Sequence, residues 1–188
     1  MPEPKAPECL FCKIAKGEIP AKIIYDSKDI MAFLDIRPAN PGHVLIIPKQ
    51  HYTFLPQLPS ELNASILELI KVIISAQVEV LGAEGVNVLQ NNGQAAGQMV
   101  PHIHFHLIPR FKGDKVILNW QPMELKEEQF VEIQKRLIES SKRAYESTQT
   151  GVPEQAQQTQ AFAPQKQEEK TQTPPPKQKP IKLKPKHA

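Results

Sequence analysis

An α+β fold on an antiparallel sheet of about five strands is what this chain predicts, and three observations carry it. Short runs rich in Ile, Val and Leu, each bounded by turn residues, occur at five places. One long stretch, Ser60–Leu81, repeats apolar residues at helical spacing. Three runs precede that stretch and two follow it, with short connections, an order that favours strands of one sheet over βαβ units.

The elements follow in order. Cys9–Lys16 reads as a short helix or turn closed by Gly17. Ile23–Tyr25 and Ile30–Leu34 are two strands joined by the polar turn Asp26-Ser27-Lys28-Asp29, a hairpin signal. Arg37-Pro38-Ala39-Asn40-Pro41-Gly42 is a loop, punctuated by its prolines and glycine. His43–Pro48 is a buried strand, because Val44, Leu45, Ile46 and Ile47 leave it no polar face. Ser60 is placed as the cap of the long central helix, with Glu61 in its first turn. Leu62, Ile66, Leu69, Ile70, Ile73, Ile74 and Val78 then line it. Val86–Gln90 is the fourth strand, the loop 91–98 follows, and His102–Arg110 is the fifth. A C-terminal helix spans roughly Glu124–Tyr145.

Composition divides the chain. From Gln149 onwards it is dense in Gln, Pro and Lys, with seven lysines against three glutamates. That stretch holds about +4 of charge, so the body is near −1 within a net +3, and the pI near 8.8 belongs to the tail. Few apolar side chains cannot repay the entropy of ordering, so 148–188 is expected to be a disordered basic tail, suited by charge to an anionic partner. The organisation expected is a domain over 7–112, a helical extension over 113–147, and the tail. With no apolar run of bilayer length and no signal pattern at the N-terminus, a soluble, cytoplasmic protein is expected. Two cysteines three residues apart do not make a secreted disulfide framework.

The most informative segment is Pro101-His102-Ile103-His104-Phe105-His106-Leu107-Ile108-Pro109, which holds three of the six histidines at period two. On a strand, His102, His104 and His106 share one face while Ile103, Phe105 and Leu107 anchor the other in a core. Imidazole attacks, relays protons or binds metal near neutral pH, so the histidine face is expected to be a site rather than core.

Other segments converge on it. Pro41-Gly42-His43 and Pro48-Lys49-Gln50-His51 place histidines at both ends of one strand, Phe33-Leu34-Asp35-Ile36 adds an acidic turn, and Ala96-Gly97-Gln98-Met99-Val100 leads into the triad. Together, from about Cys9 to Arg110, these residues resemble the histidine triad (HIT) superfamily and its motif His-φ-His-φ-His-φ-φ. The likeness is nearest to the Hint-like and bacterial or archaeal branch. A third histidine argues against the galactose-1-phosphate uridylyltransferase relatives, which carry glutamine there.

The resemblance implies a nucleotidyl hydrolase or transferase that cleaves at the α-phosphate of a purine nucleotide derivative through a nucleotidyl-histidine. The catalytic set is then His104 as nucleophile, with His106 and His43 on the phosphate oxygens. Gly97, Gln98 and Asn91 are expected near phosphate or sugar, and Asp35 on the ribose hydroxyls. Leu10, Phe11, Ile14, Phe33 and Ile36 are expected to form an apolar slot for the base. Hint-like proteins often carry a serine after the Gly-Gln pair, which protonates the leaving group. Met99 stands there instead, which tilts the expectation towards leaving groups of low pKa, such as those of dinucleoside polyphosphates or adenylates.

Cys9 and Cys12 close half a tetrahedral zinc site. Some bacterial relatives complete it with histidines at the positions of His51 and His102, which implies a structural Zn2+ here and no organic cofactor. Relatives of this kind are usually homodimers, and the Ser60–Leu81 helix is apolar around much of its girth, as burial on two sides requires. Simpler readings compete. The cysteines could be buried hydrophobes, Phe11 and Phe33 core, and Asp35 a turn cap. As for function, the three strand histidines could hold one catalytic zinc, or the chain could be a non-catalytic nucleotide-binding interaction protein.

Overall fold

The computed structural model describes residues 9–149, so the expected basic tail lies outside the described residues from Thr150 on, while its first two positions, Thr148 and Gln149, fall in the last helix. Five strands form one antiparallel sheet in the order β1-β2-β3-β5-β4: β1 Ile23–Asp26, β2 Ile30–Leu34, β3 Val44–Pro48, β4 Gly85–Gln90 and β5 Phe105–Arg110. Helices α1 Leu10–Ala15, α2 Ser60–Leu81 and α3 Glu127–Gln149 complete the α+β architecture. Single turns of 3-10 helix at Leu55–Gln57 and Gln94–Ala96 fall in stretches whose sequence gives only loop signals.

The two-residue period of the strands sorts side chains into two cores. Ile30, Ala32, Val44, Ile46 and Leu107 face Ile66, Leu69, Ile70 and Ile73 of α2. Their sequence neighbours Met31, Phe33, Leu45 and Ile47 face the opposite way, against Cys9, Phe11 and Ile14 of the N-terminal segment. The histidines are on this second face, since Leu45 pairs with His106 across β3 and β5.

The C-terminal helix runs from Glu127 to Gln149 rather than over about Glu124–Tyr145, and strand ends shift by a residue; two further boundaries bear on the site. The cap of α2 is Pro59, with Ser60 as the first helical residue and no side-chain cap bond; Gly82 ends the helix in the left-handed region. The ladder of the histidine strand begins at Phe105, not His102, because its partner strand ends at Pro48. Proline has no N–H to continue the ladder, and the carbonyl of Pro48 is taken by the His102 ring, 2.9 Å away. The Ile103 amide turns instead to the carbonyl of Tyr52 at 2.7 Å. In α3, Phe130, Val131, Leu137 and Ile138 remain exposed.

Candidate active site and metal centre

Four segments deliver the site to one end of the sheet: Asp35 just after β2, His43 just before β3, the loop 91–100 after β4, and the histidine run entering β5. The histidine face is not open. His102 is fully buried and His104 is 5% exposed, with Phe11 of α1 lying over both rings. Phe11 stands edge-on to His104 with centroids 5.2 Å apart, and to His102 at 5.9 Å.

Hydrogen bonds fix what each ring nitrogen does. His104 Nδ1 is 2.7 Å from the carbonyl of His102, so Nδ1 carries the proton and Nε2 keeps a lone pair. Among the described residues no group bonds that Nε2, and it is not an occluded atom. His43 Nδ1 accepts the Ala39 N–H at 3.2 Å, which puts the His43 proton on Nε2. That Nε2–H donates to His106 Nδ1 at 3.0 Å, which in turn puts the His106 proton on its Nε2. The rings of His104 and His106 are 4.8 Å apart. A lone pair and an N–H donor thus stand side by side.

Burial keeps these rings neutral. It pushes His106 down to about 4, helped by the nearby His104 and His43 and opposed by Asp35. His104 and His43 are lowered by burial too, against the His102 carbonyl and Asp35 for the first and Asp35 for the second. The Asp35 Oδ2 lies 3.6 Å from His43 Nδ1, beyond hydrogen-bond length, while its Oδ1 accepts the Arg37 N–H at 2.8 Å. Asp35 therefore does cap the following turn, and its field still falls on the imidazoles.

The expected phosphate loop is arranged differently. Gln98 is buried and spends both ends of its amide on the loop: Oε1 accepts Gly93 N–H at 2.7 Å, and Nε2 donates to Thr53 O at 2.7 Å. The Gly97 N–H is committed to Gln94 O and the Gln98 N–H to Gly93 O. In this structure the Gln98 side chain and the Gly97 and Gln98 amides are thus engaged by their own loop and by Thr53. The amides of Met99 and Val100 bond no described residue, and Met99 is 86% exposed. Asn91 is at hand, since a β-carbon on Gly97 would stand 3.7 Å from its Nδ2.

The expected base slot splits in two. Phe11, Ile14 and Phe33 are core, buried together, with Phe11 edge-on to Phe33 at 5.9 Å. Leu10 and Ile36 are exposed, Ile36 at 85%.

Behind His104, Cys9, Cys12, His51 and His102 bring one ligand atom each to within 4.8 Å of one another. Both sulfurs face His102 Nδ1, at 3.4 and 3.5 Å, and Cys12 Sγ is 3.3 Å from His51 Nδ1. A zinc tetrahedron with arms of about 2.0–2.3 Å has edges of about 3.5 Å, so the donor set fits. The His102 ring is prepared for it: its Nε2–H donates to Pro48 O, which leaves Nδ1 as a lone pair facing the thiols. The three strand histidines do not form a metal group with each other among the described residues, which removes the geometry that a catalytic zinc on His102, His104 and His106 requires.

The sequence reading missed a further network. Arg110 grips Asp114 through two parallel bonds of 2.7 Å and also reaches Asn87 and the Val116 carbonyl. Asn40 Nδ2 donates to Asp114 Oδ2 and to Pro109 O, both at 2.9 Å, and so ties the loop before His43 to the end of β5. The pair at spacing i,i+4 was visible in sequence, but its reach to Asn40 was not.

A five-stranded antiparallel sheet with a chain of neutral histidines at one end defines the class, and comparison gives its family. The family model described as HIT domain matches residues 16–113, and the chain belongs to that family. An uncharacterized HIT-like protein of Methanocaldococcus jannaschii is 43% identical over 112 residues, which is 60% of this chain and 86% of that protein. The adenosine 5'-monophosphoramidase of Schizosaccharomyces pombe is 47% identical, over 54% of this chain and 74% of its own. A zinc-bound histidine triad family protein from Mycobacterium smegmatis superposes with a TM-score of 0.56 at 41% identity, over 62% of this chain and 84% of that one.

Proposed function

We propose that the chain is a nucleotidyl hydrolase or transferase acting at the α-phosphate of a purine nucleotide derivative, through a covalent intermediate on Nε2 of His104. The observation that carries this is the bond from His104 Nδ1–H to the His102 carbonyl, which commits the other nitrogen to a lone pair. Nε2 attacks the α-phosphorus, and the leaving group departs with the electrons of its bond to phosphorus. Water then attacks phosphorus and releases a proton to solvent, the P–N bond breaks, and the electron pair returns to Nε2; an amine leaving group takes up its proton from solvent. The N–H on Nε2 of His106, held by the relay from Ala39 through His43, donates to a phosphate oxygen as charge rearranges. The amides of Met99 and Val100 supply further donors.

Asp35 is assigned to the ribose hydroxyls, Asn91 to the sugar–phosphate edge, and Leu10 with Ile36 to one face of the base. The S. pombe relative is an adenosine 5'-monophosphoramidase, which supports a nucleoside phosphoramidate as one substrate. Met99 has no proton to give a leaving group, which favours anhydrides over amines. Cys9, Cys12, His51 and His102 are assigned a structural Zn2+, which the M. smegmatis neighbour supports. The metal would tie the N-terminal segment to the histidine run. A homodimer is also proposed, supported by Leu67, Val72 and Val80, exposed at 60%, 62% and 76% on α2.

Rapid quench with α-labelled adenosine phosphoramidate tests the chemistry. An acid-labile phosphoramidate adduct on His104, absent in His104→Ala, is expected. Turnover that survives His104→Ala would sink the covalent route, and binding without turnover in the wild type would favour a non-catalytic nucleotide sensor.

A further inference from the structure

Among the described residues, one buried side-chain oxygen or nitrogen lacks a hydrogen-bond partner: Oε1 of Gln77. Gln77 is 4% exposed and stands four residues after Ile73, at a position where the periodicity of α2 asks for another aliphatic side chain. Burying an acceptor without a partner is unfavourable, and a leucine there would avoid it. The residue is explained by its other end. Nε2 donates to the carbonyl of Gly42 at 2.8 Å and to the carbonyl of Leu107 at 3.1 Å.

Those carbonyls have particular addresses. Gly42 immediately precedes His43, and Leu107 immediately follows His106. The ladder between β3 and β5 runs from Val44 opposite Leu107 to Ile46 opposite Phe105, so no ladder pair includes Gly42 or His43. Beyond the ladder's last pair, the amide of Gln77 bridges the two backbones directly beside the histidines, and Asn40 adds a second tie further out, to the Pro109 carbonyl. The ring bond between His43 and His106 spans the same gap on the other face, at 3.0 Å. Gly42 is itself in the left-handed region, φ +88, and packs against Leu81 of the same helix.

We propose that Gln77 is a positioning residue for the His43–His106 pair. One amide group clamps the chain beside each histidine, and the ring-to-ring hydrogen bond depends on that clamp. Without it the strand ends drift by a few tenths of an ångström, enough to weaken a directional bond. His106 is then free to exchange tautomers, and for part of the time it presents a lone pair where the reaction needs an N–H.

The test uses the full chain with Gln77→Met and Gln77→Leu, which keep similar bulk and remove both donors. Ile73→Val, one turn away in the same core, is the control for simple destabilisation. The readouts are kcat and KM on adenosine phosphoramidate, and the ring 15N signals of the histidines. Expected for both Gln77 variants is a kcat lower by about tenfold or more, the usual order for disturbing one transition-state donor, with KM within about threefold. His106 shifts from a single Nε2–H tautomer to a mixture, while His104 keeps its Nδ1–H form. Ile73→Val changes neither.

Normal kcat with an unchanged His106 spectrum in the Gln77 variants overturns the proposal, as does the same loss in Ile73→Val. If neither Gln77 variant folds, the wild type decides by hydrogen exchange: rapid exchange of the Gln77 side-chain amide would overturn the clamp. The kinetic arm rests on the function proposed above. A wild type without nucleotidyl activity defeats that reading, and the tautomer arm still judges Gln77.

Discussion

His102 meets its neighbour His104 twice over: its carbonyl accepts the Nδ1–H of His104 at 2.7 Å, while its own ring faces two cysteine sulfurs. One residue therefore belongs to both the proposed metal centre and the aim of the proposed nucleophile. Phe11, between Cys9 and Cys12, supplies a second link through its edge contact with His104. Metal removal is expected to reach the active site along both.

The first prediction concerns that linkage. Metal analysis of the purified chain should find one zinc, and Cys12→Ser or a strong chelator should remove it. Zinc at 100–1,000 times its dissociation constant adds about 3–4 kcal/mol of stability, so the melting temperature should fall on its loss. The His104 15N signals should broaden or shift in the same titration. Zinc at full occupancy in Cys12→Ser would refute the ligand set.

The second concerns acid. His106 is held at about 4 and His43 below its ordinary value, in both cases chiefly by burial. The unfolded chain takes up protons on these residues first, near pH 6.5, while the folded chain does not. Stability is therefore flat above about pH 7 and declines as pH falls from about 6.5 towards 4. Calorimetric melting across that window measures the slope. His106→Asn removes one of the titrating groups and should make the decline shallower; an unchanged slope would contradict a buried, neutral His106.

Much of this site was legible before any coordinates. Alternation alone placed Ile103 and Leu107 in the core beneath the sheet and the three imidazoles on its other face, because a two-residue period is a property of the extended chain. The grouping of Cys9, Cys12, His51 and His102 came from spacing joined to family resemblance. What sequence could not carry was coverage and commitment. It could not show that a six-residue helix roofs His102 and His104, nor that Gln98 is spent holding its own loop. Gln77 was hidden for a similar reason: periodicity marks a helix face, and a polar residue on that face looks like an interruption until its partners are seen.

The third prediction tests Met99. It is exposed, its amide is free of partners among the described residues, and its side chain offers no proton. Met99→Ser should raise turnover of phosphoramidates with basic amine leaving groups and barely change that of anhydrides, whose leaving groups need no proton. Stability should stay within about 0.5 kcal/mol, as for most surface substitutions. Equal gains on both substrate types would argue against leaving-group protonation as the missing function.

The last prediction separates the two halves of the expected base slot. Phe11 is 5% exposed and packed on Phe33 and His104, whereas Ile36 is 85% exposed beside Asp35. Truncating a buried phenylalanine costs about 3–5 kcal/mol, so Phe11→Ala should damage folding first and activity as a consequence. Ile36→Ser removes a side chain that is 85% exposed in the free protein, so its melting temperature should hold. If a base covers Ile36, losing that contact weakens binding by about 1–2 kcal/mol, or roughly 5–30-fold in KM with kcat near normal. Steady-state kinetics on the two variants, each paired with a melting curve, make the distinction. A KM unchanged in Ile36→Ser would move the base away from this turn, leaving Leu10, on the exposed side of α1, as the remaining apolar contact.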